Sequence, residues 1–240
     1  MNKYQALLSK KRVWTPVKPE RFTLPDEARE AVGRCLSLRF LELPVGEFIR
    51  DAGKGDLPQL EGVKELLLSN IVDEERHDLA LNYIAEVSGI SADYETEAHR
   101  IVKAWIERPE HPVLKALVLE RSVFFVILPL FRFLGGPGLR TTSADVSRDE
   151  TVHVAANSAV CRDLGLQVTP ELDKLRKATV SWMTQGLINK SNEKWYDRNF
   201  WMDQSDSLLY TGKAEGLIET KRARMPAFFE MSNSDLPSYA

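Results

Sequence analysis

Cysteine is nearly absent from this chain of 240 residues: only Cys35 and Cys161 occur, too few for a disulfide framework or a cysteine-based zinc site. A reducing compartment is the default. An excess of one charge sign is lacking too. The formal net charge is −3 with basic and acidic residues interspersed, so nothing electrostatic points to nucleic acid. Long hydrophobic runs are missing. The most apolar stretch, Ser122 to Phe131, is bounded by Arg121 and Arg132 and is far shorter than the ~20 residues that span a bilayer. The segment Met1 to Pro16 carries Lys3, Lys10, Lys11 and Arg12 and has no apolar run of the signal-peptide kind. A soluble, cytoplasmic protein is the expectation. Alternating patterns around Asn-Gly or Asp-Gly are absent as well, which removes the usual sign of β-hairpins.

Helical periodicity is what remains, and it predicts an all-α protein with six main helices. The first is expected from Pro25 to Asp51, opening on Pro-Asp-Glu and kinked at Pro44. The second runs from Leu57 to Val87 and stops at Ser88-Gly89. A third covers Ala92 to Ile106. The fourth, Pro112 to Leu134, is apolar nearly all round and belongs inside the bundle; Gly135-Gly136-Pro137-Gly138 ends it. The fifth begins between Thr141 and Ser143, with Ser143 as N-cap, and ends at Gly165. The sixth starts at Thr169-Pro170-Glu171 and runs to Asn189. Beyond it, Trp195, Tyr196, Phe200 and Trp201 read as docking anchors, Leu208 to Arg224 is ambiguous, and Met231 to Ala240 has the composition of a mobile tail.

Histidine is scarce, and two of the four histidines sit in the same motif. Glu74 and His77 form one Glu-x-x-His, and Glu150 and His153 form another. Residues three apart share a helix face, so each motif offers a carboxylate and an imidazole to one metal. Their helix faces are otherwise mostly apolar: Val63, Leu67, Asn70, Leu81 and Ile84 accompany the first, Val146, Asn157, Val160 and Leu164 the second. Ionisable groups on such stripes are costly unless something binds them. Glu120, inside Leu117 to Phe124, is equally badly placed for a solvated charge, and Glu42 lies within Arg39 to Leu43. Glu47 is the alternative to Glu42. The order Glu, Glu-x-x-His, Glu, Glu-x-x-His gives four carboxylates and two imidazoles from four helices. That is the donor set of a ferritin-like bundle with a dinuclear site between four core helices. Iron and manganese suit such oxygen-rich ligation better than zinc does. The expected organisation is one ferritin-like domain over residues 1–230 and a C-terminal tail over residues 231–240.

The stretch Val146-Ser147-Arg148-Asp149-Glu150-Thr151-Val152-His153 resembles the Ser-Arg-Asp-Glu-x-x-His signature of the radical-generating small subunit of class I ribonucleotide reductases. In that family the aspartate before the glutamate ligand bonds a metal-bound histidine and connects it to a tryptophan. Asp149 matches that position, and Val13-Trp14-Thr15-Pro16 is similar to the segment with the relay tryptophan. Packing is the other reading of Trp14. Phe228-Phe229-Glu230 resembles a run that precedes the family's partner-binding tail. The family's usual radical tyrosine stands four residues after the first histidine; here that position is Leu81, and Tyr83 turns to another side of the helix. Some members of the family lack the tyrosine and hold the oxidising equivalent on a manganese/iron pair, and this chain resembles them more closely.

The resemblance implies a small subunit of ribonucleoside-diphosphate reductase: an iron or manganese pair, Mn/Fe or Fe/Fe, that passes an oxidising equivalent through His77, Asp149 and Trp14 to a large subunit. It also implies a homodimer and a tail that docks the large subunit, with Tyr239 a candidate relay; plain terminal disorder is the alternative for the tail. Two other readings stay open. One is a stand-alone di-metal oxidase or oxygenase acting on a small bound substrate, favoured by Leu81 and the short chain. The other is a storage or structural bundle, disfavoured because such a bundle would gain by replacing buried carboxylates with leucine.

Overall fold

A computed structural model describes residues 1–187 and 193–210. The expectations for Leu208 to Arg224 (beyond Tyr210), for Phe228-Phe229-Glu230 and for the tail with Tyr239 lie outside the described residues, whereas the sixth helix, expected to run to Asn189, stops short of it within them. Among those described, every regular element is helical.

Four long elements carry the interior: α3 (Glu42–Ala52), α4 (Val63–Ser88), a run made of α6 (Pro112–Leu119), a π-helical turn (Glu120–Phe124) and α7 (Phe125–Leu134), and α8 (Gly136–Asp163). Around them lie α1 (Lys3–Leu8), α2 (Arg29–Ser37), α5 (Ala92–Ile106), α9 (Pro170–Met183) and α10 (Arg198–Tyr210). Asp73 of α4 meets His153 of α8, and His77 of α4 meets Asp149 of α8, so these two helices run antiparallel. No helix among the described residues is long and apolar enough to cross a membrane.

Two helices are interrupted four residues before a proline. The expected first helix begins at Arg29 rather than Pro25, and it is broken by a 3-10 turn over Leu38–Leu41, with α3 starting at Glu42. Pro44 has no N–H for the Phe40 carbonyl, and its ring crowds that carbonyl, so the distortion falls just upstream. Pro129 stands in the same relation to Phe125, where the π turn ends and the Phe125 N–H reaches back to the Glu120 carbonyl.

Other boundaries also move. The second helix starts six residues late, at Val63, because Gly62 adopts φ +86° and closes the preceding loop. The fifth starts early, at Gly136, with Pro137 in its first turn, where a missing N–H costs nothing. Ser143 is therefore not its N-cap but an interior residue whose Oγ donates to the Arg140 carbonyl. The third helix, the Thr169 cap, and the left-handed glycines at Gly89 and Gly165 agree with the sequence reading. The sixth ends at Met183.

Two helices carry no periodic signal in the sequence reading. α1 is capped by Asn2 and Gln5, and the hydroxyl of its buried Tyr4 donates to Asp163 at the end of α8. α10 packs on the π turn: Arg121 Nε donates to the Leu208 carbonyl at 2.6 Å, and Ser205 Oγ donates to the Ser122 carbonyl at 2.6 Å. The anchors act here. Trp195 stacks on Phe133 with ring centroids 3.8 Å apart, and Trp201 is fully buried.

Arg176 of α9 fastens α10. It is fully buried, and it donates to Asp173, to Asp206 at 2.6 Å and to Ser205 Oγ at 2.6 Å. Burial would raise the Asp173 carboxyl, but Arg176, Lys177 and Tyr210 outweigh it and hold it below the usual range. Replacing Arg176 by methionine (R176M) removes the shared cation and is expected to cost about 3 kcal/mol in urea unfolding. Because the folded Asp173 is held low, its contribution is complete above about pH 4 and is lost as pH falls through the lowered value. The gap between wild type and R176M should therefore narrow in acid.

Candidate metal centre

Each interior element delivers its donors to one place. α4 brings Glu74 and His77, α8 brings Glu150 and His153, α3 brings Glu42 from its first turn, and Glu120 opens the π turn. All are buried, and five of the six are fully so. One atom from each of Glu42, Glu74, His77 and Glu150 lies within 4.8 Å of the others, and the same holds for Glu74, Glu120 and His153. This buried cluster can hold a metal ion. Glu47, the alternative to Glu42, is exposed and paired with Arg50.

The distances are organised around the two imidazoles. His77 Nδ1 lies 3.6 Å from Glu42 Oε2, 3.5 Å from Glu74 Oε2 and 3.3 Å from Glu150 Oε1. His153 Nδ1 lies 3.0 Å from Glu74 Oε1, 3.6 Å from Glu150 Oε2 and 3.9 Å from Glu120 Oε1. Glu74 and Glu150 thus turn one oxygen to each ring. These eight inward-facing atoms are all buried and without a hydrogen-bond partner among the described residues. Buried polar groups are seldom left so, and orphaned atoms converging from four elements fit a bound cation.

Around the cluster, the outward-facing atoms of His77, His153 and Glu120 have partners. His77 Nε2 faces Asp149 Oδ2 at 3.2 Å, and the same oxygen accepts Trp14 Nε1–H at 2.7 Å. The Trp14 and His77 rings stack with centroids 6.4 Å apart. Arg12 Nε donates to Asp149 Oδ1 at 3.1 Å. His153 Nε2 faces Asp73 Oδ2 at 3.0 Å, and Asp73 is also held by Lys11 and by Arg76 Nη1 at 2.7 Å. Asn157 Nδ2 donates to Glu120 Oε2 at 2.7 Å. Asp73, Lys11, Arg12, Arg76 and Asn157 are not singled out by the sequence reading. Asp73 had a signal: both motifs are Asp-Glu-x-x-His, and each aspartate serves the histidine of the other helix.

Burial pushes the Glu42 and Glu120 carboxyls well above the usual range. It would raise Glu74 too, but His153 and His77 outweigh it and bring that carboxyl to about 2. Burial opposes charge on the imidazoles as well, yet the surrounding carboxylates raise both His77 and His153 well above their ordinary value. Protons on the rings and on two carboxyls are thus the metal-free way to limit repulsion. A bound cation would take their place.

Leu81 is buried beside Glu42, in the wall of a narrow apolar cavity that also includes Leu38, Phe124, Ile127, Leu128 and Phe131. Its free space, about 10 Å³, admits one molecule of water size at most. Comparison of the chain with protein-family models, with curated proteins and with solved structures finds no match.

Three outcomes follow from the buried cluster. Adding manganese(II) or iron(II) without oxygen should raise the midpoint of thermal unfolding, and a chelator should reverse the rise. Because ligation requires neutral imidazoles, metal affinity should increase with pH through neutrality, measurable by competition with a chelating dye. Glu42→Leu should make the metal-free chain more stable, by about 1 kcal/mol on the scale of buried charge replaced by apolar volume. The same variant should reduce the metal-dependent rise.

Proposed function

We propose that this chain is a ferritin-like, dinuclear metal oxidoreductase that serves as the small subunit of a class I ribonucleotide reductase. The observation that carries this reading is the unbroken line from the buried cluster to the N-terminal strap: His77 Nδ1 faces inward, His77 Nε2 faces Asp149, and Asp149 Oδ2 accepts Trp14 Nε1–H. A storage or structural bundle has no use for a buried carboxylate that joins an inner imidazole to an oxidisable ring 135 residues away in sequence.

His77 with Glu42, and His153 with Glu120, would hold two metals together with Glu74 and Glu150, each of which turns one oxygen to each ring. Iron and manganese suit this hard, oxygen-rich donor set. Such a pair, with oxygen or a reduced oxygen species, supplies one-electron oxidising power. The chain directs it. Trp14 gives up the electron while its Nε1 proton is held at Asp149 Oδ2, 2.7 Å away. Arg12 fixes the other Asp149 oxygen, so the carboxylate keeps its aim. Phe124 and Leu128 keep the neighbourhood dry, which limits side reactions of a strong oxidant.

Leu81 stands where the usual radical tyrosine would be, and a leucine side chain cannot store the oxidising equivalent. The metals themselves are the proposed store, as in family members with a manganese/iron pair. The large subunit, the C-terminal docking tail from Met231, the relay role of Tyr239 and the homodimer belong to the same proposal. A stand-alone oxidase needs room for its substrate, and the cavity beside Glu42 is too small for an organic molecule.

Metal analysis after loading with iron and manganese should give about two ions per chain, and no more than one would overturn the dinuclear centre. Electron paramagnetic resonance after oxygen exposure should show no tyrosyl signal. Deoxynucleotide formation should require a class I large subunit and should fall to background in Trp14→Phe with the metal content unchanged. Multiple-turnover oxidation of a small apolar compound by the isolated chain would favour the oxidase reading instead.

A further inference from the structure

The two halves of the cluster have matching inner donors but different outer ends. Asp149 leads from His77 to an indole. Asp73 leads from His153 to an ammonium: Lys11 Nζ donates to Asp73 Oδ2 and to Asn70 Oδ1 at 2.9 Å, and lies 3.3 Å from His153 Nε2. Lys11 and Asp73 are both largely buried, with side-chain exposures of 14% and 4%. A lysine stem is costly to order and an ammonium is costly to desolvate, so this contact is a poor choice for surface decoration.

Lys11 reaches the site only because the N-terminus is pinned elsewhere. Tyr4 and Lys3 hold α1 against Asp163, and Asn2 Nδ2 donates to the Glu61 carbonyl at 2.9 Å. The extended strap that follows then lays Lys11 on Asp73, and Arg12 and Trp14 on Asp149. Arg76 ties the two outer carboxylates together, 2.7 Å from Asp73 Oδ1 and 3.7 Å from Asp149 Oδ2.

We propose that Asp73 and Lys11 are positioning residues for the His153 half of the centre. Resting on the two-metal reading, the assignment adds what makes the two metal positions unequal. Asp73 Oδ2 accepts the Nε2–H of His153, which leaves the Nδ1 lone pair facing Glu74, Glu120 and Glu150. Lys11 and Arg76 hold that carboxylate in place from two other directions. An ammonium cannot be oxidised as an indole can. The His153 half is therefore the retaining side of the centre, and the His77 half, ending on Trp14, is the exit.

The test is titration of the full-length, metal-free chain with manganese(II) alone, followed by calorimetry and by the manganese paramagnetic signal. Wild type is expected to bind two ions in two resolved steps. Asp73→Asn should weaken one step by about 10–100-fold and leave the other near its wild-type value. Lys11→Met should weaken that same step, Lys11→Arg should restore it, and Asp149→Asn should weaken the other. Thermal midpoints of the metal-free variants separate positioning from folding: equal loss of both steps in proportion to lost stability would overturn the assignment. Two wild-type steps in Asp73→Asn and Lys11→Met would overturn it while leaving the two-metal reading intact. A single ion on wild type would remove both together.

Discussion

Four glutamate carboxylates and two imidazoles converge in an interior where their inward-facing atoms have neither solvent nor a hydrogen-bond partner. Desolvating even one carboxylate costs several kcal/mol, and close carboxylates repel one another in addition. Leucines of similar volume would make a more stable bundle. A bound cation would account for the arrangement, and much of the surrounding structure can be read as the means of holding six side chains at one point. α10 supplies a hydroxyl for the Ser122 carbonyl in the π turn that carries Glu120, Asn157 fixes Glu120's outer oxygen, and Arg76 spans the two outer aspartates.

The inner donors were legible in the sequence because charge on an apolar helix face is conspicuous. Glu74, His77, Glu120, Glu150 and His153 each interrupt a run whose remaining members are buried, and helical spacing suffices to place each pair on one side. Glu42 was harder, since Glu47 is equally near, and it took the 3-10 turn before α3 to bring position 42 into the interior. Lys11 and Arg12 were not legible. A lysine or arginine in a polar segment carries no periodic signal, and its role comes from a strap pinned to helices more than 130 residues away. Asp73 lay between these cases. It repeats the residue before Glu150, but the meaning of that repeat depends on α4 and α8 being antiparallel, which a sequence does not state.

The same reasoning explains the misplaced boundaries. Pro44 and Pro129 were visible as helix breakers, yet each distortion falls about one turn upstream, at the carbonyl that the proline cannot serve. Pro137 had the opposite effect: read together with three glycines it suggested a turn, whereas in the first turn of α8 it is compatible with the helix. α1 and α10 carry no clear periodic stripe and rely on capping and tertiary contacts. Asn2 with Gln5 in one, and Arg176 with Ser205 in the other, supply what periodicity does not.

Antiparallel packing gives the cluster an approximate two-fold pattern, with Asp73 to His153 and Asp149 to His77 as exchanged halves. A single strap crossing both halves cannot respect that symmetry. Its successive residues differ, so one aspartate receives Lys11 and the other receives Arg12 and Trp14. The inequality therefore originates outside the metal ligands, in a segment of a few residues, and needs no change in the inner donors. Leu81 acts in the same direction. With no tyrosine at that position beside Glu42, the hydrogen-bonded way out of the cluster toward an oxidisable side chain is the one through Asp149, and any chemistry that leaves the centre as an electron hole has its direction set by the strap.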